Sequence, residues 1–231
     1  MSIAENIAQV RANIARAAAE VKRSADEITL VGASKMNDAA ACREAIAAGI
    51  DALGENRVQE MIQKLSEHSY DGAPLHFIGH LQRNKVKMVV GKVALIESVG
   101  SYELLSLIDT QADKLGIVQD ILLEVNIGGE DAKSGFAVSD LSAAAESAKS
   151  LTHVNVRGLM CIPPVAEGEH GSIPYFEKVH ALFVDINESL YDNRLDILSM
   201  GMSGDYEDAV RTGATMVRVG TAIFGHRDYT I

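Results

Sequence analysis

The sequence has 231 residues, of which 47% are hydrophobic and 23% are charged, and its formal net charge is −11. This length permits one large α/β domain or two small ones, and the composition is that of a globular protein with a full core. The acidic excess is spread along the chain, which argues against a nucleic-acid-binding scaffold, since such a scaffold needs a basic surface to neutralise phosphates.

The N-terminal segment lacks the features of a targeting signal. Residues 1–23 are Ala-rich and amphipathic, with acids as well as bases, and have neither an apolar centre nor a cleavage site. No apolar run approaches the roughly 20 residues that span a bilayer. Two isolated cysteines, Cys42 and Cys161, in no metal-type spacing favour a reducing compartment. We therefore expect a cytoplasmic protein that binds neither membranes nor nucleic acid.

Helix-like and strand-like segments alternate along the chain. The first is a helix at 3–21, where apolar residues recur at helical spacing. Strands are predicted at 28–34, 51–54, 75–79, 94–98, 121–127, 155–162, 197–202 and 216–224. The remaining helices are predicted at 38–48, 57–68, 82–90, 102–115, 138–149, 175–190 and 205–212. Asn37 or Asp38, Ser101 and Ser139 are candidate caps of the helices that begin beside them.

The strands are short and apolar at successive positions, as parallel strands covered on both faces are. Eight of them alternating with helices predict a (β/α)8 barrel, one domain over residues 1–231 with an extra N-terminal helix. A doubly wound open sheet is the alternative, and it is weaker because no G-x-G-x-x-G turn follows the first strand. Barrels carry their sites at the carboxyl ends of the strands, so the candidate residues are those that follow the strands.

Lys35 follows the first strand, where a buried sheet gives way to a loop. Lysines are mostly exposed, so Lys35 can simply solvate the strand end. A lysine that loses solvation there favours its neutral form, which can attack a carbonyl carbon and form a Schiff base. The choice between the two interpretations depends on what the other strand ends offer.

Small and hydroxyl-bearing residues follow the seventh and eighth strands, namely Ser203, Gly204, Gly220 and Thr221. Taken singly, Ser203 can be a helix cap and Gly220 a packing residue. Together they predict a phosphate site, because barrels frequently bind phosphate after these two strands. A reactive lysine across from a phosphate site suits a sugar phosphate held as a Schiff base, as in an aldolase. It equally suits pyridoxal 5′-phosphate, which carries both an aldehyde and a phosphate.

Six segments, in order along the chain, closely resemble the pyridoxal phosphate homeostasis protein family. They are LVGASK at 30–35, LGENRVQE at 53–60, HFIGHLQRNK at 76–85, GLM at 158–160, SMGMS at 199–203 and VRVGTAIFG at 217–225. The resemblance implies a barrel like the N-terminal domain of alanine racemase, with pyridoxal 5′-phosphate as its cofactor. One departure is that Met36, Asn37 and Asp38 stand where the family usually has a Thr-Lys-Pro-like stretch.

The resemblance also implies roles for individual residues. Lys35 would form the Schiff base with the cofactor, and Ser203, Gly220 and Thr221 would hold its phosphate. Arg218 would lie near the pyridine nitrogen, where a permanently charged guanidinium disfavours a protonated ring. The ring and its polar edge would be lined by Asn56 and Met160.

Two further expectations concern activity and metals. Related racemases have a second, β-rich domain that supplies an opposing acid or base, whereas this sequence ends at Ile231, soon after the eighth strand. We therefore expect a monomeric, non-catalytic carrier in cellular pyridoxal phosphate homeostasis, with apoenzymes as partners; the alternative is a racemase-like enzyme. His76 and His80 have no evident third ligand, so no metal is predicted.

Overall fold

The computed structural model describes residues 1–130, 134–165, 168 and 170–225, and within them parallel strands close into a barrel. The strands are β1 (Thr29–Ala33), β2 (Ala52–Glu55), β3 (Leu75–Phe77), β4 (Leu95–Val99), β5 (Gln119–Asn126), β6 (Phe136–Ala137), β7 (Val154–Cys161), β8 (Ile197–Ser199) and β9 (Met216–Val219). Their order around the ring is β4–β3–β2–β1–β9–β8–β7–β5, and β5 pairs with β4 to close it. The two-residue β6 pairs with the end of β5 outside this ring.

Helices surround the ring and follow its strands. They are α1 (Ile3–Glu20), α2 (Ala39–Ala47), α3 (Val58–Ser66), α4 (Tyr102–Leu115), α5 (Leu141–Lys149), α6 (Ile173–Leu190), α7 (Tyr206–Arg211) and α8 (Thr221–Phe224). The predicted (β/α)8 barrel with an additional N-terminal helix is therefore confirmed. In the part of the chain that the structure describes, no helix is both long and apolar enough to cross a membrane. The chain end at Ile231 lies outside the described residues.

Helix α1 is hydrogen-bonded to α7 and α8. Its Ile7, Val10 and Ile14 are buried at helical spacing, which is the stripe that predicted the helix. On the same helix, Asn6 Nδ2 donates to the backbone oxygen of Ile223 in α8 at 2.8 Å. Asn13 Nδ2 donates to the hydroxyl of Tyr206 in α7 at 2.8 Å. The N-terminal helix thus packs against both α7 and α8.

The structure confirms two of the three predicted helix caps. Asp38 accepts a hydrogen bond from the Ala41 N–H at 2.8 Å, and Ser101 accepts one from the Leu104 N–H at 3.2 Å. The prediction for Ser139 was wrong, because this residue lies in a 3-10 turn (Val138–Asp140) and α5 begins after it. A polar residue before an apolar run cannot by itself distinguish a helix cap from a preceding tight turn.

Two predicted elements differ in the structure. The strand predicted at 216–224 ends at Val219, and the remainder turns at Gly220 into the short helix α8. The largely apolar sequence at 216–224 does not reveal where the strand ends, because a short buried helix and a buried strand have the same composition. The helix predicted at 82–90 is a 3-10 helix over Arg83–Met88.

The barrel lumen has an apolar floor and a polar upper layer. The floor is a separate cluster of buried side chains from Val31, Ala52, Leu95, Leu122, Met160 and Met216. Toward the carboxyl ends of the strands, Glu97 of β4 is hydrogen-bonded to Ser199 of β8, which lies across the ring. Since side chains alternate along a strand, residues two positions beyond the floor also face the lumen. Polar groups therefore concentrate at the carboxyl mouth.

Candidate functional site

The predicted site residues follow four neighbouring strands. β1 pairs with β2 on one side and with β9 on the other, and β9 pairs with β8. All four strands are parallel, so their carboxyl ends open at the same mouth. In strand order from β2 to β8, the mouth carries Asn56, then Lys35, then Gly220 with Thr221, and then Ser203 with Gly204. The structure therefore brings the lysine and the predicted phosphate-site residues to one edge of the barrel.

Ser203 joins the loop after β8 to the turn after β9. The backbone N–H groups of Gly220 and Ala222 both point at Ser203 Oγ, at 3.2 and 3.3 Å. Amides in the first turn of a helix have no partner within the helix and can face an anion. Gly204 is exposed, and a Cβ atom built on it would meet open space. A cavity of about 660 Å³ opens beside this cluster and is lined by Ser203, Gly204 and Ala222 among others.

Lys35 is half-buried, and the chain is held firmly on both sides of it. Lys64 of α3 donates from Nζ to the backbone oxygen of Ser34 at 2.8 Å. Glu60 accepts from the N–H of Met36 and from Lys64, the latter at 2.8 Å. The backbone around Lys35 is thereby fixed, while in the described part of the chain its own side chain has no ion pair.

The same cluster extends to a fully buried carboxylate. Glu55 accepts hydrogen bonds from Lys64 at 2.5 Å, from the Ser34 hydroxyl at 2.7 Å and from Tyr70 at 3.1 Å. Burial alone would lower the pKa of Lys64, but its hydrogen bonds to Glu55 and Glu60 outweigh that and raise it. Lys64 is therefore held as an ammonium, and its role is to support the loop that carries Lys35. The sequence did not single out Lys64, because a lysine in an amphipathic helix normally faces solvent.

Asn56 presents an unsatisfied group at the mouth. Its Oδ1 atom is buried and has no hydrogen-bond partner among the residues that the structure describes. Gly79, which follows β3, packs directly on the Asn56 backbone, since a Cβ atom on Gly79 would lie 2.4 Å from the backbone oxygen of Asn56. The position of Asn56 thus depends on a glycine opposite it. A buried amide oxygen without a donor is costly, so a ligand that offers a donor there gains affinity.

Arg218 lies in the lumen, 4% exposed, within a hydrogen-bonded network. Its guanidinium donates to Ser199 Oγ at 2.6 Å and to the Cys161 backbone oxygen at 2.9 Å. The Ser199 hydroxyl donates to Glu97 at 2.6 Å, and His76 lies 2.8 Å from the other Glu97 oxygen. Burial alone would raise the pKa of Glu97, but the hydrogen bond from His76 and the nearby cations outweigh it and lower it.

Sequence reasoning missed Glu97 and Ser199 as members of this network. The available signal was a charged residue inside the otherwise apolar strand at 94–98, since buried charges need partners. His76, which had been weighed as a metal ligand, bonds Glu97 instead. Across the described ranges, no group of three or more His, Cys, Asp or Glu side chains is placed to hold a metal. Met160 is 1% exposed in the lumen floor, below the mouth.

Comparison with known proteins first defines the class of this barrel. The family model described as "Alanine racemase, N-terminal domain" matches residues 2–228. The solved alanine racemase of Clostridium difficile superposes with a TM-score of 0.73 at 15% identity, over 99% of this chain and 58% of the racemase chain. The protein is thus a barrel of the alanine racemase N-terminal type, as the sequence predicted.

More similar relatives narrow the class. The pyridoxal phosphate homeostasis protein of Aquifex aeolicus is 44% identical over 200 residues, covering 87% of both chains. That of Pseudomonas aeruginosa is 41% identical over 99% of this chain and 97% of its own. PipY of Synechococcus elongatus, solved with pyridoxal phosphate bound, has a TM-score of 0.84 at 34% identity, over 97% of this chain and 100% of PipY. This chain belongs to the pyridoxal phosphate homeostasis protein family.

Proposed function

We propose that the protein binds pyridoxal 5′-phosphate through Lys35 and serves the homeostasis of this cofactor without significant catalysis. The observation that carries the proposal is the adjacency of β1, β9 and β8, which sets Lys35 beside the Ser203 and Gly220 cluster. The relatives named pyridoxal phosphate homeostasis proteins and the PipY structure with bound pyridoxal phosphate support the choice of ligand.

The residues at the mouth fit this ligand. When bound, pyridoxal phosphate supplies an aldehyde that combines with a primary amine, together with a phosphate and a hydroxylated pyridine ring. Lys35 offers the amine, on a backbone that Lys64 fixes. The unsatisfied Asn56 Oδ1 suits a hydrogen-bond donor on the ring edge, and Met160 offers an apolar floor. The phosphate would meet the N–H and hydroxyl donors of Ser203, Gly204, Gly220 and Thr221.

Arg218 would make the bound cofactor a weaker electron sink. Both of its terminal nitrogens are bonded inside the lumen, so the guanidinium is fixed and stays charged. Placed beside a ring nitrogen, it would donate a hydrogen bond and disfavour protonation of that nitrogen, because it cannot give up a proton itself. An unprotonated pyridine withdraws electrons weakly, so bonds at a substrate carbon would be poorly activated.

A racemase-like enzyme is the second candidate, and the fold shared with alanine racemase favours it. A two-base racemisation needs an acid and a base on opposite faces of the substrate carbon. Incubation of the cofactor-loaded protein with single-enantiomer alanine, followed by chiral chromatography, separates the two candidates. Turnover at rates ordinary for enzymes, about 1 per second or more, would overturn the carrier proposal.

The attachment of the cofactor is tested by reduction and intact mass. After incubation with pyridoxal 5′-phosphate and borohydride, the wild type should gain the mass of one pyridoxyl phosphate group. Lys35→Ala should gain none at this site and should lack the visible absorption band of the lysine-bound cofactor. Lys92→Ala, which removes an exposed lysine, is the matched control and should behave as the wild type. Equal labelling of all three proteins would show that Lys35 is not the attachment point.

Three expectations from the sequence belong to this proposal and stay predictions. The protein is expected to be a monomer, to hand its cofactor to apoenzymes and to reside in the cytoplasm. Light scattering after size-exclusion chromatography tests the first of them. Transfer is tested by mixing loaded protein with an apoenzyme that needs the cofactor and following the recovery of that enzyme's activity.

A further inference from the structure

Lys35 lies in a tight turn that requires an unfavourable backbone conformation. The Asn37 N–H donates to the backbone oxygen of Ser34 at 3.1 Å, so Lys35 and Met36 are the two central residues of a turn between β1 and α2. Met36 has a φ of 61°, in the left-handed region. A residue that carries a Cβ atom rarely adopts this conformation, because the Cβ atom crowds the backbone.

Side-chain packing does not compensate for the conformation of Met36. The Met36 side chain is 51% exposed, so it buries little apolar surface that could offset the strain. Glycine or asparagine is usual at a left-handed turn position, since glycine has no Cβ atom and asparagine can hydrogen-bond locally. The compensation therefore comes from hydrogen bonds to the backbone of the turn.

The peptide plane before Lys35 is held at its oxygen, which belongs to Ser34. Lys64 Nζ donates to this oxygen at 2.8 Å, and the Asn37 N–H donates to it as well. These two donors come from different elements, α3 and the turn itself. The entry of the chain into the turn is thereby fixed.

The peptide plane after Lys35 is held at both of its polar atoms. Its oxygen accepts from Asn37 Nδ2 at 3.1 Å, and its N–H, which belongs to Met36, donates to the Glu60 carboxylate. The φ and ψ angles of Lys35 are the rotations between the two planes, so holding both planes fixes the direction of its Cα–Cβ bond. Glu60 is itself anchored by Lys64, at 2.8 Å. The Glu60 carboxylate is thus the group of α3 that acts directly on the left-handed residue.

We propose that Glu60 is a positioning residue for attachment of the cofactor. By holding the Met36 N–H, it keeps the turn in the left-handed form that directs the Lys35 amine to the aldehyde. Attachment joins Nζ to the aldehyde carbon, and the two protons of the neutral amine leave with the aldehyde oxygen as water. This step requires a defined approach of the nitrogen to the carbon. The inference rests on the proposed attachment at Lys35 and adds a residue that acts through the turn.

Titration of the cofactor-free, full-length protein with pyridoxal 5′-phosphate, followed by the absorbance of the lysine-bound cofactor, tests the proposal. Glu60→Ala removes the acceptor of the Met36 N–H and should weaken attachment about tenfold. Glu60→Gln retains an acceptor oxygen and should lose less. Glu67→Ala, which removes an exposed carboxylate just beyond the end of α3, is the matched control and should bind as the wild type does.

A second substitution separates positioning from general damage to the fold. Glycine adopts the left-handed conformation without the steric cost of a Cβ atom. Met36→Gly, added to Glu60→Ala, should therefore recover most of the lost affinity. Pyridoxine 5′-phosphate has an alcohol in place of the aldehyde and forms no bond to a lysine. Its affinity, measured by calorimetry, should be the same for Glu60→Ala as for the wild type.

The turn itself is observed without cofactor by hydrogen exchange measured with NMR. The Asn37 N–H closes the turn, so it should exchange faster in Glu60→Ala than in the wild type. Adding Met36→Gly should slow this exchange again. Thermal unfolding verifies that each variant is folded.

The proposal is wrong if Glu60→Ala binds pyridoxal 5′-phosphate as tightly as the wild type, if pyridoxine 5′-phosphate loses as much affinity, or if Met36→Gly restores nothing. A wild type that gains no mass after reduction would instead refute the attachment at Lys35 on which the inference rests. The mass measurement and the variant titrations therefore distinguish the two failures.

Discussion

Lys64 Nζ lies 2.8 Å from the backbone oxygen of Ser34, the residue that precedes Lys35. On the other side, Glu60 holds the N–H of Met36 and also bonds Lys64. One buried lysine thus fixes the loop that presents another. Fixing backbone dihedrals in advance removes an entropy cost that a ligand would otherwise meet on binding, so we expect the clamp to favour the proposed attachment of the cofactor at Lys35.

Replacing Lys64 should destabilise the protein strongly. Lys64→Met leaves the fully buried Glu55 without its ionic partner, and breaking such a pair costs about 3–5 kcal/mol. Urea unfolding measures the loss. The double variant Lys64→Met/Glu55→Gln should recover part of the stability, because the uncompensated charge is gone. Lys92→Met, at an exposed position, should stay within about 0.5 kcal/mol of the wild type. An unchanged stability of Lys64→Met would contradict the clamp.

Ser203→Ala should reduce affinity for the phosphate rather than for the ring. It removes the hydroxyl on which the Gly220 and Ala222 amides converge, and with it a donor to the phosphate. Titrations followed by absorbance should show pyridoxal 5′-phosphate binding about tenfold more weakly, while pyridoxal, which has no phosphate, binds as before. Ser139→Ala, at an exposed serine, is the control. Equal losses for the two ligands would place the phosphate elsewhere.

Glu97→Gln should destabilise the protein in a pH-dependent manner. The pKa of Glu97 is lowered in the folded state, so its charge stabilises the fold above its ordinary pKa, and this contribution is lost as the pH falls through the folded pKa. The difference in melting temperature between the variant and the wild type should therefore be largest near neutral pH, at a cost of about 3 kcal/mol. It should shrink below about pH 4. A difference that is constant with pH would contradict the charged network with Arg218.

Glu124→Gln should show the opposite trend. Burial raises the pKa of Glu124, so its contribution to stability is fully present below its ordinary pKa and is lost as the pH rises through the folded pKa. At acidic pH the variant should have the same melting temperature as the wild type. Near neutral pH its melting temperature should be higher than that of the wild type. Each kcal/mol gained raises the melting temperature by about 2–4 °C. Melting curves recorded across this range without ligand would refute the prediction if the wild type stayed the more stable protein.

The barrel was predictable because its signals are local. Short apolar strands and amphipathic helices repeat in alternation, and each is readable within a few residues. The place of Lys35, Ser203 and Gly220 at one mouth follows from the same pattern, since the carboxyl ends of parallel strands meet. Residue roles implied by the family resemblance, such as those of Asn56 and Met160, stay predictions.

The supporting networks were not predictable for a physical reason. Lys64 lies nine positions from Glu55, and Ser199 is far along the chain from Glu97. Only the closed ring brings these pairs together, and nothing in the periodicity of α3 distinguishes a buried lysine from a solvated one. The end of the last strand, before Gly220, was predicted wrongly for a different reason. The four apolar or small residues that follow Gly220 suit a strand and a short helix equally well.

The pairing of β1 with β9 has a consequence for synthesis on the ribosome. The lysine at position 35 leaves the ribosome well before the serine at 203 and the amides at 220 and 222. Until β9 docks against β1, the ring is open and the proposed phosphate-binding residues do not lie beside the amine. A chain in which β9 has not yet docked thus lacks the proposed site, and we expect cofactor loading only after the ring has closed.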